Sequence, residues 1–244
     1  MSVASSLLRR SASILLLDGF ELRLGDRRVD VPFGTQRVLA YLALSERPVL
    51  RIHLAGALWL ESSEEHAFAN LRSTLWRLKR VDPALVEASG QSVRLSDDVD
   101  VDLHRASELA RRVLGGAATE LLDVDPEPLR KDLLPDWYED WALIERERYR
   151  QLRLSALDAL CERLTRAGRL ALAMETGLAS LAAEPLRESA HRALIRIHLA
   201  EGNKAEALRQ YRFYRDLMRD HLRLEPSQQM EALVRELDVA ETIG

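Results

Sequence analysis

The sequence predicts a mainly α protein in two parts: an N-terminal winged helix with small β-sheets, followed by a tetratricopeptide-like α-helical repeat domain. Three observations predict it. The string SALDAL at Ser155 returns as SAHRAL at Ser189, an interval of 34 residues, and Gly168 returns at the same interval as Gly202. That is the period at which tetratricopeptide helix pairs stack. Ala171 and Ala173 are answered by Ala205 and Ala207, small residues that let antiparallel helices approach closely. Before residue 102 the pattern changes to short alternating strands, three helical stretches and a closing hairpin, with one basic helix among them.

Residues 1–12 read as an N-terminal extension. They carry Arg9 and Arg10 ahead of an apolar run, residues 14–17, that is too short for the core of a signal peptide. Between residues 14 and 31, Phe20, Leu22 and Leu24 alternate with Glu21 and Arg23, and Gly25 and Asp26 turn the chain, so a small antiparallel sheet is expected. Gly34 and Thr35 open a helix with Val38, Leu39, Tyr41, Leu42 and Leu44 at helical spacing, and Pro48 stops it. A second helix over residues 51–60 buries Leu54 and Leu58. The third is expected to be capped by Ser62, with Glu65 completing a capping box, and to end before Pro83. Residues 85–88, a turn at 89–92 and residues 93–95 form a hairpin, the wing. A winged helix over residues 13–101 results.

From residue 102 to 244 the chain reads as helical. One helix runs over 102–114, and a proline-bearing acidic stretch over 117–135 packs through Leu121, Leu122, Leu129, Leu133 and Leu134. A long helix over 137–167 follows, then helices over 170–183, 189–200 and 204–221. A last one runs from Pro226 to about residue 240. Trp137 and Trp141, four apart on one helix, are expected to form a hydrophobic seam against the N-terminal module.

Composition removes several functional classes. The chain is 47% hydrophobic and 30% charged, enough for two ordinary cores, and the sequence points to a soluble cytoplasmic protein with no membrane partner. Its one cysteine, Cys161, cannot form an intramolecular disulfide and reads as a core residue. No phosphate-binding glycine loop, zinc-protease motif or nucleophile elbow occurs, so no enzyme and no cofactor is expected. His191 and His198 are seven apart without further ligands, which argues against a metal site.

The net charge of −4 argues against nucleic acid only if the chain is taken whole. Residues 66–80 hold Arg72, Arg77, Lys79 and Arg80 and no acid. With a screening length of about 8 Å, local charge decides binding. Phe68, Leu71, Leu75 and Leu78 define the expected buried face of the third helix. The opposite face carries His66, Asn70, Ser73 and Arg77, with Thr74 and Trp76 on its flanks. Asparagine and arginine are the types that make bidentate contacts to adenine and guanine, and His66 and Ser73 are short enough to approach a base. These four are the candidate base contacts. Arg72, Lys79, Arg80 and the wing residue Arg94 are the candidate phosphate contacts, setting register rather than sequence.

The strings FGTQRVLAYLAL at Phe33, LRSTLWRLKR at Leu71, VRL at Val93 and VDL at Val101 resemble the N-terminal DNA-binding module of the Streptomyces antibiotic regulatory protein family. The strings LLPDWYEDWALIERERYRQLRLSAL from Leu133 and GNKAEALRQYRFYRDL from Gly202, with Leu224 to Ser227, resemble that family's bacterial transcriptional activator domain. The resemblance assigns residues 102–244 to that domain. It implies a winged helix of the response-regulator effector type that binds direct repeats in double-stranded promoter DNA, with RNA polymerase holoenzyme as a partner, and it leaves self-association on tandem sites open. Two places depart from the family pattern: the family often has a glycine before the proline where this chain has Arg223-Leu224-Glu225-Pro226, and Trp76 stands where a small or polar residue is common. The alternative is a helical-repeat adaptor whose winged helix contacts proteins and not DNA. A continuous positive surface through Arg72, Arg77, Lys79, Arg80 and Arg94 favours DNA, whereas interruption by Glu64, Glu65 and Asp82 favours the adaptor.

Overall fold

Ile14 and Leu22 sit directly opposite each other where β1 (Ala12–Leu15) pairs antiparallel with β2 (Glu21–Leu24), and both are buried, so alternation sends one face of the ribbon into the core. The computed structural model describes residues 12–45, 47–116 and 124–239. Of the extension expected over residues 1–12, residues 1–11 lie outside them, as does the packing expected of Leu121 and Leu122, whereas Ala12 belongs to β1 and not to the extension. β3 (Arg27–Arg28) pairs with β2, and β7 (Asp100–Val101) runs parallel to β1, giving the order β3-β2-β1-β7.

α1 (Phe33–Leu44), α2 (Arg51–Leu58) and α3 (Glu64–Val81) follow, with α2 and α1 packed on α3. The wing is β5 (Val86–Ser89) and β6 (Ser92–Leu95), and its inner strand also pairs with β4 (Val49–Leu50), so the expected hairpin is a three-stranded sheet. The rest is α4 (Asp102–Gly115), α5 (Glu127–Arg130), α6 (Asp140–Arg166), α7 (Leu170–Ala183), α8 (Glu188–Ala200), α9 (Lys204–Leu222) and α10 (Gln228–Val239). Among the described residues no helix is long and apolar enough to cross a membrane, and no group of three or more potential ligands could hold a metal ion.

The chain divides into two compact units, residues 1–106 with 131–150, and residues 107–130 with 151–244. In the first, the segment before α6 returns to the end of β1. The Asp18 amide donates to the Asp132 carbonyl at 2.7 Å, and the Leu134 amide donates to that of Leu16 at 2.9 Å. Leu133 and Leu134 are fully buried there. Arg146 holds this return from α6, donating to the carbonyls of Leu133, Leu134 and Trp137. Trp137 stacks on Phe20 at 6.1 Å and meets Phe33 edge-on at 5.2 Å, and Trp141 meets Tyr41 at 5.3 Å. The expected aromatic seam is thus present, but Trp137 precedes the helix: the Ala142 and Leu143 amides both donate to the Glu139 carbonyl, which starts α6 at Asp140. The Asp102 carboxylate joins β1 to the start of α4 by accepting the amides of Leu16, Leu17 and Leu103. Burial pushes its pKa up despite those three bonds.

In the second unit α6 buries Ala156, Leu157, Leu160, Cys161 and Leu164 in a core shared with Ala173 and Leu194. Cys161 is fully buried, and burial first, then the Asp158 charge, lifts its thiol pKa to about 12, which leaves it without nucleophilic character. Asp158 gathers three donors from later elements, the hydroxyls of Ser180 and Ser189 and the Arg187 guanidinium at 2.9, 2.6 and 2.9 Å. This ties the first helix pair to the second. A lost partner would leave the half-buried carboxylate undersatisfied.

The 34-residue repeat is visible in the turns. The Arg169 amide donates to the Leu164 carbonyl and the Gly168 amide to that of Thr165; one repeat later Asn203 donates to His198 and Gly202 to Leu199. Both are Schellman closures, with the glycines at φ 73° and 76°. Arg223 closes α9 at φ 58°, a conformation in which a side chain crowds the backbone. Gly168→Val and Gly202→Val should each cost about 1–2 kcal/mol, whereas Arg223→Gly should leave stability unchanged or raised by up to about 1 kcal/mol. Thermal unfolding of the three variants checks this; equal losses in all three would refute the assignment of left-handed closures.

His191, fully buried, places Nε2 2.9 Å from the Pro185 carbonyl and Nδ1 2.8 Å from the Gln210 side-chain nitrogen. An imidazole protonated only at Nε2 satisfies both. Burial lowers its pKa from the ordinary 6.5. The unfolded chain therefore takes up this proton first, and stability should fall as pH drops below about 6.5. Denaturant melts at pH 7.5 and 5.5 should show that loss, and it should shrink in His191→Gln.

Candidate nucleic-acid interface

The orientation of α3 follows from what it buries. Ala67, Leu71, Thr74 and Leu78 are its buried residues, while Phe68 and Leu75 are partly covered at the edges of that stripe. Each buried leucine contributes about 1.5–3 kcal/mol, more than any single polar contact of the helix, so this stripe sets the rotation. The expected apolar face holds, with one correction. Thr74 is buried and not a flank of the outward face, because its hydroxyl donates to the Asn70 carbonyl at 2.8 Å and leaves its methyl for the core.

A second correction concerns the N-terminus. The cap is Ser63, not Ser62, and its hydroxyl accepts from the His66 amide at 3.4 Å. The His66 ring closes the turn, with Nδ1 2.7 Å from the same hydroxyl. Histidine therefore stands at the third helical position, where Glu65 was expected in a capping box. Glu64 and Glu65 lie in the first turn, at the positive end of the helix dipole, and Lys79 and Arg80 lie in the last.

All the polar side chains assigned to α3 are exposed: His66, Asn70, Ser73 and Arg77 along the outward face, and Arg72, Lys79 and Arg80 beside it. No ion pair or side-chain hydrogen bond involves Arg72, Arg77 or Lys79 among the described residues. The acids near the helix stand at its ends, with Asp82 forming the C-cap and accepting from the Ala84 amide at 2.8 Å. Trp76 is 58% exposed and faces a groove shared with the wing residues Val86 and Ala88. The Arg80 guanidinium lies 4.9 Å from its ring centre, a cation–π contact that holds Arg80 along the helix.

The wing residue Arg94 is placed differently from the helix cations. Its guanidinium bonds Glu87 across the hairpin at 2.7 Å and Asp97 at 3.1 Å. The Glu87 hydrogen bond, then the Asp97 charge, raise its pKa further. Its charge is thus compensated inside the wing. Arg51, from the start of α2, shares a groove with Arg72 and Lys79, and the sequence offered no sign of it because no spacing relates residue 51 to α3.

A model of the bacterial transcriptional activator domain matches residues 81–238. The match begins at the last residue of α3, so it takes in the wing and the helices that follow as far as residue 238. Among solved structures, Mycobacterium tuberculosis EmbR in complex with low-affinity phosphopeptide superposes with a TM-score of 0.78 at 22% identity. The superposition covers 92% of this chain and 64% of the EmbR chain, so the shared fold includes the N-terminal elements and this chain spans less than two thirds of that protein. No curated protein sequence matches the chain significantly.

The two serines can be told apart. Ser63→Ala should cost about 1 kcal/mol, the value of a helix N-cap, while Ser62→Ala should be close to neutral. Chemical denaturation of both variants measures the difference, and the reverse order would restore the cap to Ser62.

Proposed function

The chain belongs to the family of the bacterial transcriptional activator domain; we propose that it is a transcriptional regulator of the Streptomyces antibiotic regulatory protein type that activates transcription by binding promoter DNA through α3 and the wing. The observation that carries this is the exposed face of α3, where Asn70, Ser73 and Arg77 stand beside Arg72 and Lys79, which pair with no acid among the described residues. An ordinary solvent-facing helix of this length carries acid–base pairs, as α6 does with Glu145 and Arg148, and Glu147 and Arg150. Unpaired cations are available to release counterions from phosphates.

In this reading Asn70, Ser73 and Arg77 address bases in the major groove, with His66 at the helix entrance, where its bond to Ser63 competes with base contact. Arg72, Lys79 and Arg80 hold phosphates. Arg94 contributes less, since a phosphate must displace Glu87 or Asp97 from it. Binding at direct repeats and recruitment of RNA polymerase holoenzyme by the helical repeats complete the proposal. The compensated wing is the one feature that favours an adaptor without DNA binding, and the experiment below distinguishes the two.

Arg77→Ala should weaken binding to the preferred site by about 1–3 kcal/mol and relax preference at one base position. Arg72→Gln with Lys79→Gln should weaken preferred and random DNA together and lower the salt dependence by about 2 in the log–log slope. Fragments selected from a random pool by the purified full chain supply the preferred site, and fluorescence anisotropy over a salt series supplies the affinities. Equal losses on both DNAs for Arg77→Ala would reduce Arg77 to a phosphate contact. No salt-dependent binding to any DNA would establish the adaptor.

A further inference from the structure

Between α3 and β5 runs a groove of about 210 Å³ whose lining divides by chemistry. Leu75, Trp76, Val86 and Ala88 supply apolar surface, and Arg51, Arg72 and Lys79 supply three cations from two helices. No acid lines it. The Arg51 Nε is buried and has no hydrogen-bond partner among the described residues. Such a group is destabilising unless something accepts from it. The Arg51 amide donates to the Gln91 carbonyl at 2.8 Å, which fixes the residue against the turn of the wing.

From this combination we infer that the groove is a binding site for a small aromatic carboxylate. The flat apolar body fits against Trp76, Val86 and Ala88, and the carboxylate accepts from Arg51 with Arg72 and Lys79 beside it. Small-molecule sites have this composition, apolar walls with a few placed polar groups, and guanidinium pairs with carboxylate in a planar fork. A neutral aromatic would leave the three cations uncompensated. Inorganic anions would leave the apolar wall wet. A DNA backbone could reach the exposed Arg72 and Lys79, but it has no apolar body to cover Leu75, Trp76, Val86 and Ala88.

Occupancy has a consequence that rests on the DNA reading above. Arg72 and Lys79 are assigned to phosphates there, so a bound carboxylate neutralises part of the same surface and weakens DNA binding. The groove would couple a small metabolite-like anion to release from the promoter.

Calorimetric titration of the purified full chain with 2-naphthoate, in the absence of DNA, tests the site. The expected result is saturable one-to-one binding that 2-naphthylmethanol, the neutral analogue, does not show. Arg51→Gln should weaken it about tenfold or more, the loss of one charge-assisted hydrogen bond. Ala88→Trp, on an exposed strand position, should block it by filling the groove while keeping the melting temperature. Absence of saturation, equal binding of the neutral alcohol, or full affinity in both variants would overturn the assignment. Because this titration contains no DNA, its result stands whether or not α3 binds nucleic acid. Addition of 2-naphthoate to a preformed DNA complex then checks the coupling, and an unchanged DNA affinity at saturating naphthoate would refute the shared use of Arg72 and Lys79.

Discussion

Burial of Leu71 and Leu78 is the constraint on which the rest of the first unit depends. Seven residues apart, they fall nearly on one line of α3, and both are almost fully excluded from water against α1 and α2. Rotating α3 by one residue position, about 100°, would exchange this pair for polar neighbours and forfeit several kcal/mol. The outward direction of Asn70, Ser73 and Arg77 is therefore a by-product of packing. Polar residues on that face need make no contact within the chain to be aimed, and they are free to be selected for what they touch outside it.

The same logic explains what was legible in the sequence. Helical periodicity reports burial, so α1, α3 and the repeats could be read from spacing, and the glycines 34 residues apart could be read as turns because few other residues adopt φ near 75° without strain. β4 and β7 could not: two residues show no alternation, and each exists only because a distant strand offers it hydrogen bonds. Thr74 misled for a related reason, since its type suggests a polar face while its hydroxyl is satisfied within its own helix. The cap shifted by one residue because Ser62 and Ser63 are equally suitable in composition, and only the backbone at Ser63, φ −60° and ψ 154°, decides between them.

Charge was the least legible property. The residue type of Arg94 announces a cation, but its net effect depends on Glu87 across a hairpin and on Asp97 beyond it, and pairing across strands is a matter of register. Arg51 is the converse case. Nothing near it in sequence suggests a site, yet the junction of β4 and α2 sets it beside Arg72 and Lys79, with no acceptor for its Nε among the described residues. Sites assembled from separate elements lie outside the reach of periodicity, which senses only neighbours along one helix or strand.

The two units also differ in how they use half-buried polar groups. In the first, Asp102 and Arg146 spend their hydrogen-bonding capacity on backbone amides and carbonyls, pinning chain segments that have no regular partner. In the second, half-buried carboxylates join one helix pair to the next. Asp158 bonds forward to Ser180, Arg187 and Ser189, and Glu188 bonds forward to Tyr214 and Ser227. Burial alone would raise the Glu188 carboxyl, but the donors from Ser227 and Tyr214 and the nearby Arg192 outweigh it and hold it below the ordinary range. An apolar interface between stacked helices can slide; a carboxylate met by three donors of fixed position cannot without losing them. The repeat therefore gains a defined spacing from its polar contacts and its stability from its apolar ones, and a partner that reads the stacked helices meets a surface whose geometry is set inside.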